Sequence, residues 1–269
     1  MDFFNYLFEI INESNINVKF DKFKSFYDDF MMDKFINFTR KTPPIALSEP
    51  CYAKFCEVVE MKQINKKSKN KQLNFIHSIA HIEFSAIDIA LDACYHFDAL
   101  PKEYYYDWLK VADDEIRHFL MINALLEKMG AKYGDMQVHN GLFIALQKTQ
   151  NSLIQRMALL PRYMEANGLD ANFYIINKLK EQGGDAELIA VLQVILDEEV
   201  SHVSCGDKWF KFACKRENID PNEYINIVQQ LYPNSFKTTR NLNEADRIKA
   251  GFSVNELEKI KSFQRNFNE

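Results

Sequence analysis

The sequence predicts an all-α protein built around a four-helix bundle with a long crossover between two helix pairs, plus additional helices at both ends. Three observations carry this reading. Glycine and proline are scarce, 8 and 7 in 269 residues, which favours long helices over many turns. Apolar residues recur at helical spacing along most of the chain. Within those stretches stand two copies of Glu-x-x-His, Glu115-Ile116-Arg117-His118 and Glu199-Val200-Ser201-His202, each preceded by a lone core-facing glutamate, Glu83 and Glu165.

The elements follow in order. Residues 1–71 read as an N-terminal helical extension, with Phe23, Phe26, Tyr27, Phe30 and Met31 forming a packing face that Thr42-Pro43-Pro44 interrupts. The run Asn65-Lys66-Lys67-Ser68-Lys69-Asn70-Lys71 reads as a solvated linker more readily than as a phosphate contact. Residues 72–230 carry the bundle. Its first helix is expected over 72–98, and its second from Pro101 to about Met129, where Gly130 stops it. The third is expected from Gly141 to Asn167, with Asn167-Gly168 marking its end. A short helical connection over 170–182 and a Gly183-Gly184 hinge or cap lead to the fourth, about Asp185 to Arg216. Residues 231–269 form a tail packing on the bundle, with Thr238-Thr239-Arg240 and a terminal helix over 253–263.

The glutamates keep apolar company. Glu83 shares its face with Ile76, Ile79, Ala80, Ala86, Ile87, Ala90 and Leu91, and Glu115 with Trp108, Val111, Ala112, His118, Phe119 and Ile122. Glu199 lies among Leu188, Leu192, Ile195, Leu196, His202, Val203 and Phe210. The face of Glu165 (Ile154, Met157, Ala158, Pro161 and Arg162) is the least regular of the four. Glutamate is almost never fully buried unless paired or metal-bound. Residues three apart on a helix share a face, so Glu and His at that spacing reach one cation. Spacing alone is a weak signal; four carboxylates in apolar faces strengthen it. Glu115 follows Glu83 by 32 residues and Glu199 follows Glu165 by 34, each enough for a helix, a turn and a return helix. The ligand set is therefore Glu83, Glu115, His118, Glu165, Glu199 and His202, holding two cations inside a bundle. Oxygen ligands with one imidazole per metal favour two iron ions, or an iron/manganese pair, over zinc. Asp114 and Glu198 precede the paired glutamates and are candidates to receive the second ring N–H of the opposite histidine, Asp114 for His202 and Glu198 for His118. Solvent exposure is an equal alternative for Glu198. Arg162 and Asp170 are candidates for a substrate contact or, more readily, a buried structural pair.

Asp114-Glu115-Ile116-Arg117-His118 resembles the Asp-Glu-x-Arg-His sequence of bacterial di-iron monooxygenases. The segments His81-Ile82-Glu83, Asp107-Trp108-Leu109, Lys132-Tyr133-Gly134-Asp135, 161–170 and 199–203 resemble an uncharacterised ferritin-like family, domain of unknown function 455, over about residues 72–230. The 161–170 segment, Pro-Arg followed by Glu-Ala and Gly-Leu-Asp, is the most specific, and the resemblance supports Glu165 as the third-helix ligand. Asn167 stands where that family is expected to carry Arg, and Glu198 where the di-iron motif has Asp. The resemblance implies a fold and a site, and no substrate.

A net charge of −5 gives no general affinity for nucleic acid or anionic membrane. No apolar run reaches ~20 residues, and the start Met1-Asp2-Phe3-Phe4 has no positive region, so a cytoplasmic protein that spans no membrane is expected. Cys51, Cys56, Cys94, Cys205 and Cys214 form no Cys-x-x-Cys pair. They read as free thiols and exclude an internal rubredoxin module, so reducing equivalents are expected from an external electron donor. His77, His81, His96 and His139 read as ordinary polar residues.

Three function classes are compatible with the residues. The first is a di-metal oxidase or oxygenase activating dioxygen or peroxide, on a small-molecule substrate or, by analogy with the tRNA-hydroxylase branch of the superfamily, a tRNA. The second is a ferritin-like iron-handling or peroxide-reducing protein, and the third a metal-free helical interaction module. A homo-oligomer is compatible with each.

Overall fold

The computed structural model describes residues 2–64, 70–237 and 241–268, with side chains up to residue 263. The chain is all-α, and among the described residues extended pairing is confined to one isolated bridge, Val58 with Val138. It divides into two compact units, Met1–Gln147 and Lys148–Glu269. The linker reading of the basic run falls mostly on residues outside those described, as does Thr238-Thr239-Arg240.

In the first unit, helix α1 (Phe3–Asn12) starts at Asp2, whose carboxylate accepts from the Phe4 and Asn5 amides at 3.1 Å each. It buries Phe3, Phe4, Leu7, Ile10 and Ile11, one face at helical spacing. Helix α2 (Ile16–Met31) is capped by Asn15 and buries Phe23, Phe26 and Phe30. Phe3 lies at the centre of an aromatic cluster with Phe26, Phe30, Phe35, Phe38 and Tyr105; of the expected packing face Phe23, Phe26 and Phe30 are buried and Tyr27 is half-buried, while Met31, in the last turn of α2, is exposed. Helices α3 (Lys71–His96) and α4 (Lys102–Lys128) form the long pair of this unit. They run antiparallel. Near their connection the Tyr104 hydroxyl donates to the Ala93 carbonyl at 3.0 Å, and at the far end the Gly134 amide donates to His77 Nε2 at 3.0 Å. Pro101 opens α4, and Gly130 closes it with φ +77 while the Ala131 amide reaches back to the Leu126 carbonyl. Helix α5 (Gly141–Lys148) ends the unit.

In the second unit the single helix expected from Gly141 to Asn167 is not formed. The chain breaks after α5, and Ser152 caps a new helix, α6 (Leu153–Leu159). Helix α6 runs on through a π-helical turn, Leu160–Glu165, into α7 (Ala166–Glu181) without a stop at Asn167-Gly168. Pro161 has no amide hydrogen, so the i→i−4 ladder must adjust there, and a widened π turn absorbs the defect. Residues 170–182 are thus mostly the body of α7 and no separate connection. Gly183 (φ +65) ends it, with the Gly184 amide bonded to the Leu179 carbonyl at 2.8 Å. Asp185 then caps α8 (Ala186–Glu217), which returns antiparallel to α7 and closes at left-handed Asn218. Helices α9 (Tyr224–Leu231), α10 (Glu244–Lys249) and α11 (Val254–Asn268) complete the unit.

Candidate metal centre

Each unit carries one Glu-x-x-His on its longest helix pair. In the first unit Glu83 comes from α3 and Glu115 and His118 from α4, and all three are buried, the latter two completely. Their apolar neighbours on the same faces, Ile76, Ala80, Ile87, Trp108, Ala112, Phe119 and Ile122, are core residues. His118 Nδ1 lies 3.4 Å from Glu83 Oε2 and 3.5 Å from Glu115 Oε2. One ligand atom from each of the three falls within 4.8 Å of the others. Two donors bound at about 2.1 Å to one cation are themselves about 3 Å apart, so the 3.4 and 3.5 Å contacts need close by only about 0.5 Å to hold one. In the metal-free protein burial alone would lower the His118 pKa. Glu115 and Glu83 outweigh it and push the imidazole up to about 11, so the ring is a charged partner of two carboxylates.

In the second unit α8 supplies Glu199 and His202, both buried, with His202 Nδ1 3.6 Å from Glu199 Oε2. The two Glu-x-x-His pairs therefore have nearly the same local geometry, as the i, i+3 spacing predicted. Glu165 is the last residue of the π turn and is half-buried. An inserted residue rotates everything after it by about 100° about the helix axis, which is why an α-helical reading of its face was irregular.

The same turn uses Arg162. Its Nε donates to Asp207 at 2.8 Å and its Nη2 to Glu256 at 2.8 Å, while the guanidinium stacks on Tyr224, Phe252 and Phe210. The Tyr224 hydroxyl donates to the Arg162 carbonyl at 2.9 Å. Asp170 pairs with Arg247 through both oxygens, at 3.0 and 2.7 Å, and accepts from the Asn243 amide at 2.7 Å. Arg162 and Asp170 are thus both in buried ion pairs, each with a different partner and not with one another. Arg247 also reaches Asn167 Oδ1 at 3.2 Å. Asp114 accepts from Arg117 at 2.8 Å, one turn along α4, and Glu198 is half-buried.

Sequence reading missed the supports of the π turn, Asp207, Tyr224, Arg247 and Glu256. A glycine in the middle of α8, Gly206, was the available signal: a Cβ there would meet Pro161 Cβ at 2.5 Å. His77, His81 and His139 are structural. His81 bridges the Tyr133 hydroxyl (2.9 Å) and the His139 carbonyl (2.7 Å), and His139 Nδ1 accepts from the Gly141 amide at 3.1 Å. Among the described residues all five cysteines are free of disulfides, and no helix is long and apolar enough to cross a membrane.

The fold and site define an all-helical protein with carboxylate–imidazole clusters buried on its long helices. The chain belongs to the family described as Protein of unknown function (DUF455), whose model matches residues 12–258. It is 34% identical over 214 residues, 76% of this chain and 73% of the relative, to an uncharacterized protein of Haemophilus influenzae. No solved structure matches the chain.

Proposed function

We propose that this protein is a ferritin-like di-iron, or iron/manganese, carboxylate oxidoreductase that activates dioxygen or peroxide to oxidise an organic substrate. The observation that carries the reading is the repeated Glu-x-x-His of α4 and α8, each buried in an apolar interior with its own carboxylate and imidazole 3.5 and 3.6 Å apart. In this reading the α3–α4 pair and the α6–α8 segment form the two halves of one four-helix bundle. Glu83, Glu115 and His118 would hold one half of the centre, and Glu165, Glu199 and His202 the other. A buried set of carboxylates with one imidazole per metal fits hard divalent iron or manganese.

When bound, a pair of ferrous ions supplies two electrons together to dioxygen or peroxide. The chain does the rest. Glu83 and Glu115 stabilise the proton on His118 in the metal-free protein; His118 would lose that proton to serve as a neutral donor to a cation. Trp108, Phe119 and Ile122 keep bulk water from that half. Asp114 and Glu198 would receive the outer ring N–H of the opposite histidines and fix their tautomers. The Arg162 and Asp170 ion pairs hold the π turn and so aim Glu165; they are engaged structurally and are not assigned to substrate. Electrons would come from an external donor, since the cysteines form no Cys-x-x-Cys pair.

The test is dioxygen uptake by protein reconstituted anaerobically with ferrous ion. Uptake that stops after one oxidation of the bound metal, and resumes only with a chemical reductant, supports the oxidoreductase reading. Continued oxidation of many added iron equivalents without reductant would instead assign iron handling, and no uptake would refute both.

A further inference from the structure

A second chemistry-bearing cluster lies in the first unit, built from residues not assigned to metal. Lys19 of α2 is fully buried, and its ammonium donates to the Ile10 and Ile11 carbonyls at 2.9 and 3.0 Å and pairs with Asp88 Oδ1 of α3 at 2.6 Å. The ammonium's three protons are shared among four acceptors, these three and the sulfur of Cys51. Cys51, in the short 3₁₀ turn Cys51–Lys54, is also buried; its sulfur lies 3.6 Å from Lys19 Nζ, and its thiol meets Asp88 Oδ2 at 3.4 Å. One carboxylate thus touches both an amine and a thiol that already stand near van der Waals contact.

We propose that Lys19, Cys51 and Asp88 form an oxidant-responsive cross-linking site, in which a hydroperoxide joins Cys51 Sγ to Lys19 Nζ as a sulfenamide. The site is independent of the metal centre and beyond the activity proposed above. In the first step the hydroperoxide transfers an oxygen to sulfur. An S–O bond forms, the O–O bond breaks, sulfur gives up two electrons, and the thiol proton leaves with the departing oxygen as water or alcohol. The product is a sulfenic acid. In the second step the Lys19 amine attacks sulfur, the N–S bond forms, and the S–O bond breaks with loss of water. Of the three ammonium protons one stays on nitrogen, one leaves in the water and one ends on Asp88. Burial raises the Asp88 pKa, which suits it to keep that proton. Burial also raises the Cys51 pKa, so the resting thiol stays protonated and Asp88 must assist its oxidation. The bond would tie α2 to the turn at Cys51 and halt the sulfur short of irreversible oxidation.

The full-length chain would be treated with hydrogen peroxide, its remaining thiols blocked, and digested without reductant for mass spectrometry. The expected product joins the Lys19 and Cys51 peptides at the sum of their masses less two hydrogens, and is released by dithiothreitol. Sulfoxidation of the exposed Met31, Met32 and Met61 reports that the oxidant acted. Cys51→Ser abolishes the product and Asp88→Asn slows it at least roughly tenfold. If Lys19→Met fails to fold, the wild-type map alone decides. Cys51 left as a thiol while those methionines are oxidised, Cys51 found as sulfinic acid, a Cys51–Cys56 disulfide, or a cross-link retaining oxygen would each overturn the proposal.

Discussion

Replacing Gly206 with alanine tests how the π turn is held. A Cβ at Gly206 would stand 2.5 Å from Pro161 Cβ, 2.7 Å from Pro161 Cγ and 3.4 Å from the Arg162 nitrogen. Carbon atoms rest at about 3.5–4 Å, so α8 and the turn must part by roughly 1 Å. The turn yields poorly: the proline ring is rigid, the Arg162 carbonyl is held by Tyr224, and its side chain is held by Asp207 and Glu256. Overpacking of this kind costs about 1–3 kcal/mol, against which alanine gains about 1 kcal/mol over glycine in a helix interior. The net lies between about 0 and 2 kcal/mol of destabilisation, and the upper figure is expected because both colliding groups are anchored. Gly168, in α7, is the matched control, since a Cβ there meets nothing within 4 Å. Gly168→Ala should stabilise by up to about 1 kcal/mol. Urea denaturation of both variants separates helix propensity from collision, with the midpoint moving in opposite directions at unchanged slope. A Gly206→Ala variant as stable as Gly168→Ala would refute the close approach of α8 to Pro161.

Other predictions concern protons and one hydrogen bond. Burial lowers the His77 pKa from 6.5 to about 4, and its Nε2 accepts the Gly134 amide, a bond that needs the neutral ring. The unfolded chain therefore takes up a proton first. Stability is full above about pH 6.5 and falls between there and about pH 4, by up to roughly 3 kcal/mol for this residue; His77→Gln should flatten that part of the pH–stability curve. Because His118 is protonated up to about pH 11 in the metal-free protein, loading ferrous ion at neutral pH should release a proton from it, seen by calorimetry in buffers of different ionisation enthalpy. Tyr224→Phe removes the hydroxyl from the Arg162 carbonyl and should cost about 1 kcal/mol in thermal or chemical unfolding.

The paired motifs were legible because i, i+3 spacing on an α-helix is a local property, and α4 and α8 are uninterrupted through Glu115–His118 and Glu199–His202. Caps and stops at Pro101, Gly130, Asp185 and Gly183 were legible for the same reason. Glu165 resisted because Pro161 turns one stretch π-helical, and helical periodicity assumes a constant phase. The early stop assigned to Asn167-Gly168 failed because glycine only weakens a helix interior, by about 1 kcal/mol, while Asp170 of the same helix is anchored by Arg247. That anchor lies 77 residues along the chain, beyond any local pattern. The buried Lys19 was equally hidden: a lysine in an aromatic stretch reads as solvated until Asp88 and the α1 carbonyls are in place.

Metal content decides the central claim most directly. Protein purified without chelator, or reconstituted anaerobically with ferrous ion, should hold about two iron or manganese ions per chain, and Glu115→Ala and Glu199→Ala should each lose them while remaining folded. Wild-type protein that holds no metal after reconstitution, or variants that hold as much as the wild type, would contradict the di-metal centre and leave a metal-free helical module.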